Sequence, residues 1–281
     1  ILAASSLNCI RSKTWSPYDM IALSLGSSRF VLHFWTILDV LINILHECSN
    51  CDENIFVFSR TVYMFLNSSG LWLGACLSVF HCIKVASFTQ SFFIWMKQRI
   101  ARLMPWMLLT SWLCSVTGTI PFAWHVYRVH NNFSALLSLT NSSARRTTTK
   151  DRLTLFIYFC NATTALPLIL SVVSSVLLIR SLWTHTRRMQ NNASGFRDPS
   201  LEAHISAIKS VCSFLILYII YFICLLLLLY CDFLHLSDEE SICVAVLVAC
   251  PTGHTLILIW SNPKFQELPA RFWHHINCHV R

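Results

Sequence analysis

The chain has 281 residues, 55% hydrophobic and only 12% charged, whereas an ordinary soluble domain carries about 25% charged residues. That shortfall points to a membrane protein. The net charge of +8 needs no nucleic acid to explain it, because Lys and Arg gather where a positive-inside bias would put them.

The first ten residues, ILAASSLNCI, are apolar but would rise only about 15 Å as a helix, half of a hydrocarbon core. With no initiator Met and no charged region ahead of them, they read as the remaining end of a truncated first span. Six runs of the length a bilayer demands, about 20 residues, follow at 17–45, 60–88, 103–126, 153–182, 205–230 and 241–260. The expected fold is therefore an all-α membrane protein, a seven-transmembrane helix bundle with the first helix truncated on its N-terminal side. The bundle covers residues 1–265 and a short cytoplasmic tail covers 266–281, where FQELPARFWHHI has the pattern of a short amphipathic helix on the inner leaflet.

Loop charge sets the orientation. If the loop 11–16 is inside, 14 of the 21 Lys and Arg fall inside, among them Lys97, Arg99, Arg102, Arg187, Arg188 and Lys264. The other side holds Arg128, Arg145, Arg146, Lys150 and Arg152. An extracellular amino terminus and a multi-pass protein of the plasma membrane follow.

The outer segment 127–152, rich in Ser, Thr and Asn, reads as the most flexible exposed loop and carries two glycosylation acceptors, Asn132 and Asn141. Similar triplets at Asn67, Asn161 and Asn192 fall in spans or on the inner side. The inner segment 183–203 is basic, with Gly195 and Pro199 placed to end one helix and set up the next. Of the thirteen cysteines, seven sit in spans and read as small buried hydrophobes. Cys48 and Cys51, and Cys231 with Cys243, stand in or beside outer loops, where a disulfide is open; a zinc site would need more ligands at suitable spacing.

Polar groups inside spans are costly and usually face the bundle interior. Arg29, Asp39, Asn67, Lys84 and His254 are the ones present. Lys84 lies near the inner end of its span and is placed to snorkel, and Asp39 lies toward the outer surface. Arg29 is close to mid-span, where both a structural tie and a switch element are open readings. Asn67 suits either a cavity wall or a helix–helix hydrogen bond. His254 follows Pro251 and Gly253, which loosen the backbone. Tyr63 and Asn67 share a helical face, Tyr218 and Tyr221 stand three apart on another helix, and such residues suit a mostly apolar ligand cavity.

Catalysis finds no support: there is no HExxH, GxSxG, Gly-rich phosphate loop or intramembrane pair of acids, and neither cofactor nor metal is expected. Transport would make use of Arg29 and Lys84 toward anions, but no inverted repeat or matched pair of broken helices marks a transporter site.

Four runs then resemble one family in order. ALSLGSSR, ending in Arg29, is similar to a second-helix signature; LNSSGLWLGACLSVFHCIKVASFTQSFFIWMKQRI, with Trp72, Leu77, Ser78 and Lys84, to a third helix and second inner loop. SLWTHTRRMQNNASGFRDPSLEAHISAIKSVCSFLILYIIYF resembles a fifth-to-sixth helix junction, and PTGHTLILIWSNPKF a seventh helix. The family is the type 2 bitter taste receptors, seven-helix G-protein-coupled receptors. Two departures stand out: His81 where the family usually has Tyr, and Thr255 in place of the Ser after the histidine.

The resemblance implies a receptor that takes a small bitter compound from the extracellular side and activates a heterotrimeric G protein of the gustducin type. Tyr63 and Asn67 correspond to ligand contacts, Tyr221 to the aromatic that senses ligand and moves, and Val40 and Val244 to pocket-facing positions. Val244 is apolar where some relatives carry a charge, so neutral or mildly polar, hydrophobic agonists are expected. Trp72, His81, Lys84 and His254 fall at structural or activation positions, with Arg29 tied to neighbouring helices near His254. A vomeronasal type 1 pheromone receptor shares the architecture, but the junction RRMQ…DPSLEAH argues against it; a multi-span transporter or channel is the alternative from another class.

Overall fold

The computed structural model describes residues 16–45, 53–86, 90–136, 145–192, 199–230 and 238–261. Among them are six helices and no strand: α1 Pro17–Leu45, α2 Glu53–Val85, α3 Ser91–Leu136, α4 Arg145–Asn192, α5 Pro199–Tyr230 and α6 Asp238–Ser261. Residues 1–10, read above as the end of a first span, lie outside the described residues, as do Cys48, Cys51, Cys231, Asn141 and the tail 266–281.

Five of the helices contain stretches long and apolar enough to cross a bilayer, and Ala245–Ser261 is a shorter apolar one. α1 begins and ends where the hydropathy pattern put it, and α5 starts on Pro199, whose fixed φ and missing N–H suit a first helical turn. α3 and α4 depart from expectation. They run on for 46 and 48 residues and take in much of the segment read as a loop, so that Asn132 falls within α3. The physical reason is the absence of any Gly or Pro between Pro121 and Pro167: the Ser, Thr and Asn there are weak helix formers, not breakers.

α2 is the central helix, packed against α1, α3 and α4, while α6 leans on α5. One core cluster joins Ile21 and Leu25 of α1, Leu73, Leu77 and Phe80 of α2, Met104 of α3 and Leu258 of α6. A second joins Cys82 and Ala86 to Leu178 and Leu182 of α4. Both lie toward the end of the bundle that holds Pro17, Val85 and Ser261, called here the basic end because Lys84, Lys97, Arg99, Arg102, Arg180, Arg187 and Lys209 are all exposed there. Large apolar side chains such as Phe30, Phe34, Trp106, Ile120 and Ile216 point outward, as expected of a bundle whose solvent is lipid.

Two glycines of α2 and α6 seat side chains of α5. A Cβ on Gly74 would stand 3.4 Å from the Tyr218 hydroxyl, and one on Gly253 only 3.3 Å from Leu217 Cδ1. These contacts set α5 against α2 and α6 just where a cleft opens between them.

Candidate functional site

Midway along the bundle, α1, α2, α5 and α6 separate around a cleft of about 430 Å³, measured out to its open mouth. Arg29 and Leu32 come from α1, Asn67, Gly70 and Leu71 from α2, Leu217, Tyr218 and Tyr221 from α5, and Cys250, Pro251 and His254 from α6. Each set repeats at three or four residues, so each helix turns one face to the cleft. A smaller space adjoins it, lined by Leu32, His33, Thr36, Tyr63, Asn67, Leu247 and Val248. Leu32 and Asn67 belong to both.

Three hydrogen bonds fix the walls. Asn67 Nδ2 donates to the Tyr221 hydroxyl at 2.5 Å, joining α2 to α5. The Tyr218 hydroxyl donates to the Leu71 carbonyl at 2.7 Å, a second tie one turn away. Arg29 Nη1 donates to Thr255 Oγ1 at 2.8 Å, joining α1 to α6. Thr255 Oγ1 in turn donates to the Pro251 carbonyl at 2.9 Å, and beside them the His254 ring stacks on Phe214 with centroids 4.3 Å apart.

Satisfaction of these polar groups is incomplete. Arg29 is 7% exposed and His254 6% exposed, yet Arg29 Nε and His254 Nδ1 are buried without a hydrogen-bond partner among the described residues. Removing a charge from water costs several kcal/mol per ion even after relaxation, while a hydrogen bond to a charged group returns about 1.5–3 kcal/mol. A single threonine hydroxyl falls short of compensating Arg29.

The sequence-predicted residues therefore divide. Asn67, Tyr221, Arg29 and His254 meet in one cleft, and Tyr63 lines the adjoining space. Val40 is 51% exposed on α1 and lines neither space; the Val244 side chain lies outside the described residues. Trp72 Nε1 is buried without a partner among the described residues. His81 packs between Tyr18 and Phe80 at 6.0 and 5.8 Å, and Lys84, exposed at the end of α2, holds its ammonium 5.5 Å from the Phe80 ring centre. Asp39 accepts from the Ser59 hydroxyl at 2.5 Å, a tie between α1 and α2 away from the cleft. Cys243 is a buried free thiol, and Cys231 lies outside the described residues.

Tyr218, read beside Tyr221 as suited to a ligand cavity, lines the cleft. Gly70 and Cys250 escaped the sequence reading as cavity residues, with no signal beyond sharing a helical face with Asn67 and His254. No group of three or more His, Cys, Asp or Glu capable of holding a metal occurs among the described residues.

A family model described as Taste receptor protein (TAS2R) matches residues 1–276. The chain belongs to the type 2 taste receptor family. It is 56% identical over 281 residues to Taste receptor type 2 member 40 of Gallus gallus, covering 100% of this chain and 90% of the relative. It is 33% identical over 279 residues to Taste receptor type 2 member 1 of Chlorocebus aethiops, covering 99% and 91%, and 31% identical over 264 residues to Taste receptor type 2 member 2 of Homo sapiens, covering 93% and 86%. As a member of that family the protein is a multi-pass receptor and not an enzyme.

Placed in a taste receptor, the two sequence departures gain physical content. Thr255 keeps the hydroxyl that a serine would offer, and it is that oxygen which accepts from Arg29. His81 keeps an aromatic ring at the basic end, where ring packing is the contact it makes.

Proposed function

We propose that this taste receptor binds small, mostly apolar bitter compounds in the cleft between α1, α2, α5 and α6, from the extracellular side of the plasma membrane, and activates a gustducin-type heterotrimeric G protein at its basic end. The observation that carries the reading is the composition of the cleft: Leu32, Leu71, Leu217 and Cys250 supply apolar wall, and Asn67 with Tyr221 supplies a polar pair at its centre. Ligand sites are of this kind, apolar with a few placed polar groups that fix orientation.

A ligand that hydrogen-bonds Asn67 or Tyr221 competes with the bond they make to each other. It thereby favours any arrangement of α5 in which that bond is broken, and its differential affinity sets how far the equilibrium moves. The exposed cations at the basic end offer the complementary charge for an acidic partner surface. On this reading the amino terminus is extracellular, the side that the loop charge favours.

The test is expression of the full-length receptor with a chimeric gustducin-type α subunit, read as calcium release against a panel of bitter compounds. Concentration-dependent release to hydrophobic, neutral members of the panel is expected. Silence across the panel at a normal surface level, or solute flux in receptor vesicles, overturns the reading.

A further inference from the structure

Among the described residues Arg29 has no protein counter-ion. The two other charges on its helix, Asp19 and Asp39, are each ten residues away, about 15 Å along the axis, and Asp39 is engaged by Ser59. Elsewhere the sequence has no Asp or Glu between Glu53 and Asp151, between Glu202 and Asp232, or between Glu240 and Glu267. The guanidinium is buried, has one hydroxyl partner through Nη1, and lines open space that it shares with His254, whose Nδ1 is also unpartnered.

We propose that the cleft holds a small monovalent anion against Arg29, with His254 and the Thr255 end of α6 beside it. The anion is either free in solution, of the halide class, or carried into the cleft as the carboxylate of a ligand. A planar fork of donors suits both, and a bound negative charge supplies what the four helices do not. It closes the positive charge in an uncharged shell and ties α1 to α6 where they meet across Pro251. The inference rests on the cleft of the proposed function but not on any agonist, and its test reads stability, so a silent bitter panel leaves it standing and its failure leaves the receptor reading intact.

The experiment is thermal unfolding of the purified full-length receptor, titrated with chloride replacing gluconate at fixed ionic strength, and separately with benzoate. A saturable rise in Tm of about 5 °C is expected, in chloride if the anion is free and in benzoate alone if it must be ligand-borne. Arg29→Met should abolish the rise. Equal Tm in gluconate, chloride and benzoate, or an undiminished rise in Arg29→Met, overturns the proposal. Should Arg29→Met fail to fold, Thr255→Val decides: it strips Arg29 of its protein partner, so the rise must become larger, and an unchanged rise overturns it equally.

Discussion

Asn67 of α2 and Tyr221 of α5, 154 residues apart in the chain, are joined across the cleft by a 2.5 Å hydrogen bond. The bond serves as both wall and latch. It ties the two helices beside the Tyr218–Leu71 bond, and in the proposed function it occupies the polar groups a ligand would use.

Removing one partner should therefore act differently from removing both. Tyr221→Phe leaves a half-buried amide unpaired, which costs about 1–3 kcal/mol, whereas Asn67→Leu with Tyr221→Phe replaces the pair by apolar contact. We expect Tm to fall in the single variant and to recover in part in the double one. Agonist potency, measured by calcium release, should fall in both, and in Asn67→Ala. Unmoved potency in Asn67→Ala together with a silent Tyr63→Ala would place the pocket elsewhere.

The Arg29–Thr255 bond separates hydroxyl from shape. Thr255→Ser keeps the acceptor, and the expected surface level and dose response are those of the parent. Thr255→Val keeps the volume and loses the oxygen. A double-mutant cycle with Arg29→Met, read by thermal unfolding, should give a coupling of about 1.5–3 kcal/mol; additive effects would show that the contact contributes nothing.

Gly253 tests the packing of α5 on α6. A Cβ there meets Leu217 Cδ1 at 3.3 Å, so Gly253→Val overpacks the interface and should destabilise by about 1–3 kcal/mol. Leu217→Ala in the same chain should relieve it. Failure of that second change to raise the Tm of Gly253→Val would mean that the strain lies elsewhere.

Orientation is tested by sugar. Asn132 lies inside α3, Asn141 follows it in the sequence before α4 begins, and acceptors are used in surface loops. We expect an endoglycosidase-sensitive mobility shift in intact cells, reduced more by Asn141→Gln than by Asn132→Gln. Labelling that places this segment in the cytosol would turn the cleft toward the wrong compartment.

The bundle was legible in the sequence because hydropathy reports the solvent of each segment directly. Pro17–Leu45 and the start at Pro199 came out as read. The ends of α3 and α4 did not, since polar residues without Gly or Pro say where water is but not where a helix stops. Arg29, Asn67 and His254 were visible as polar groups in an apolar run, and Tyr221 through its resemblance. Their pairing was not: beyond the resemblance that put Arg29 near His254, nothing local to Thr255 or Tyr221 tells which residue, 226 or 154 positions away, each will face. Gly70 was equally silent, because the space beside it is a property of four helices together.

That space gives the most direct measurement. Gly70 lines the cleft, and a Cβ added to it meets nothing within 4 Å, so the side chain of Gly70→Val starts into open space and takes up room in the cavity. If the cleft is the agonist site, this receptor should reach the cell surface at the parental level and lose agonist potency about tenfold or more, the effect of some 1.4 kcal/mol. A Gly70→Val receptor with parental surface level and an unshifted dose response would contradict it.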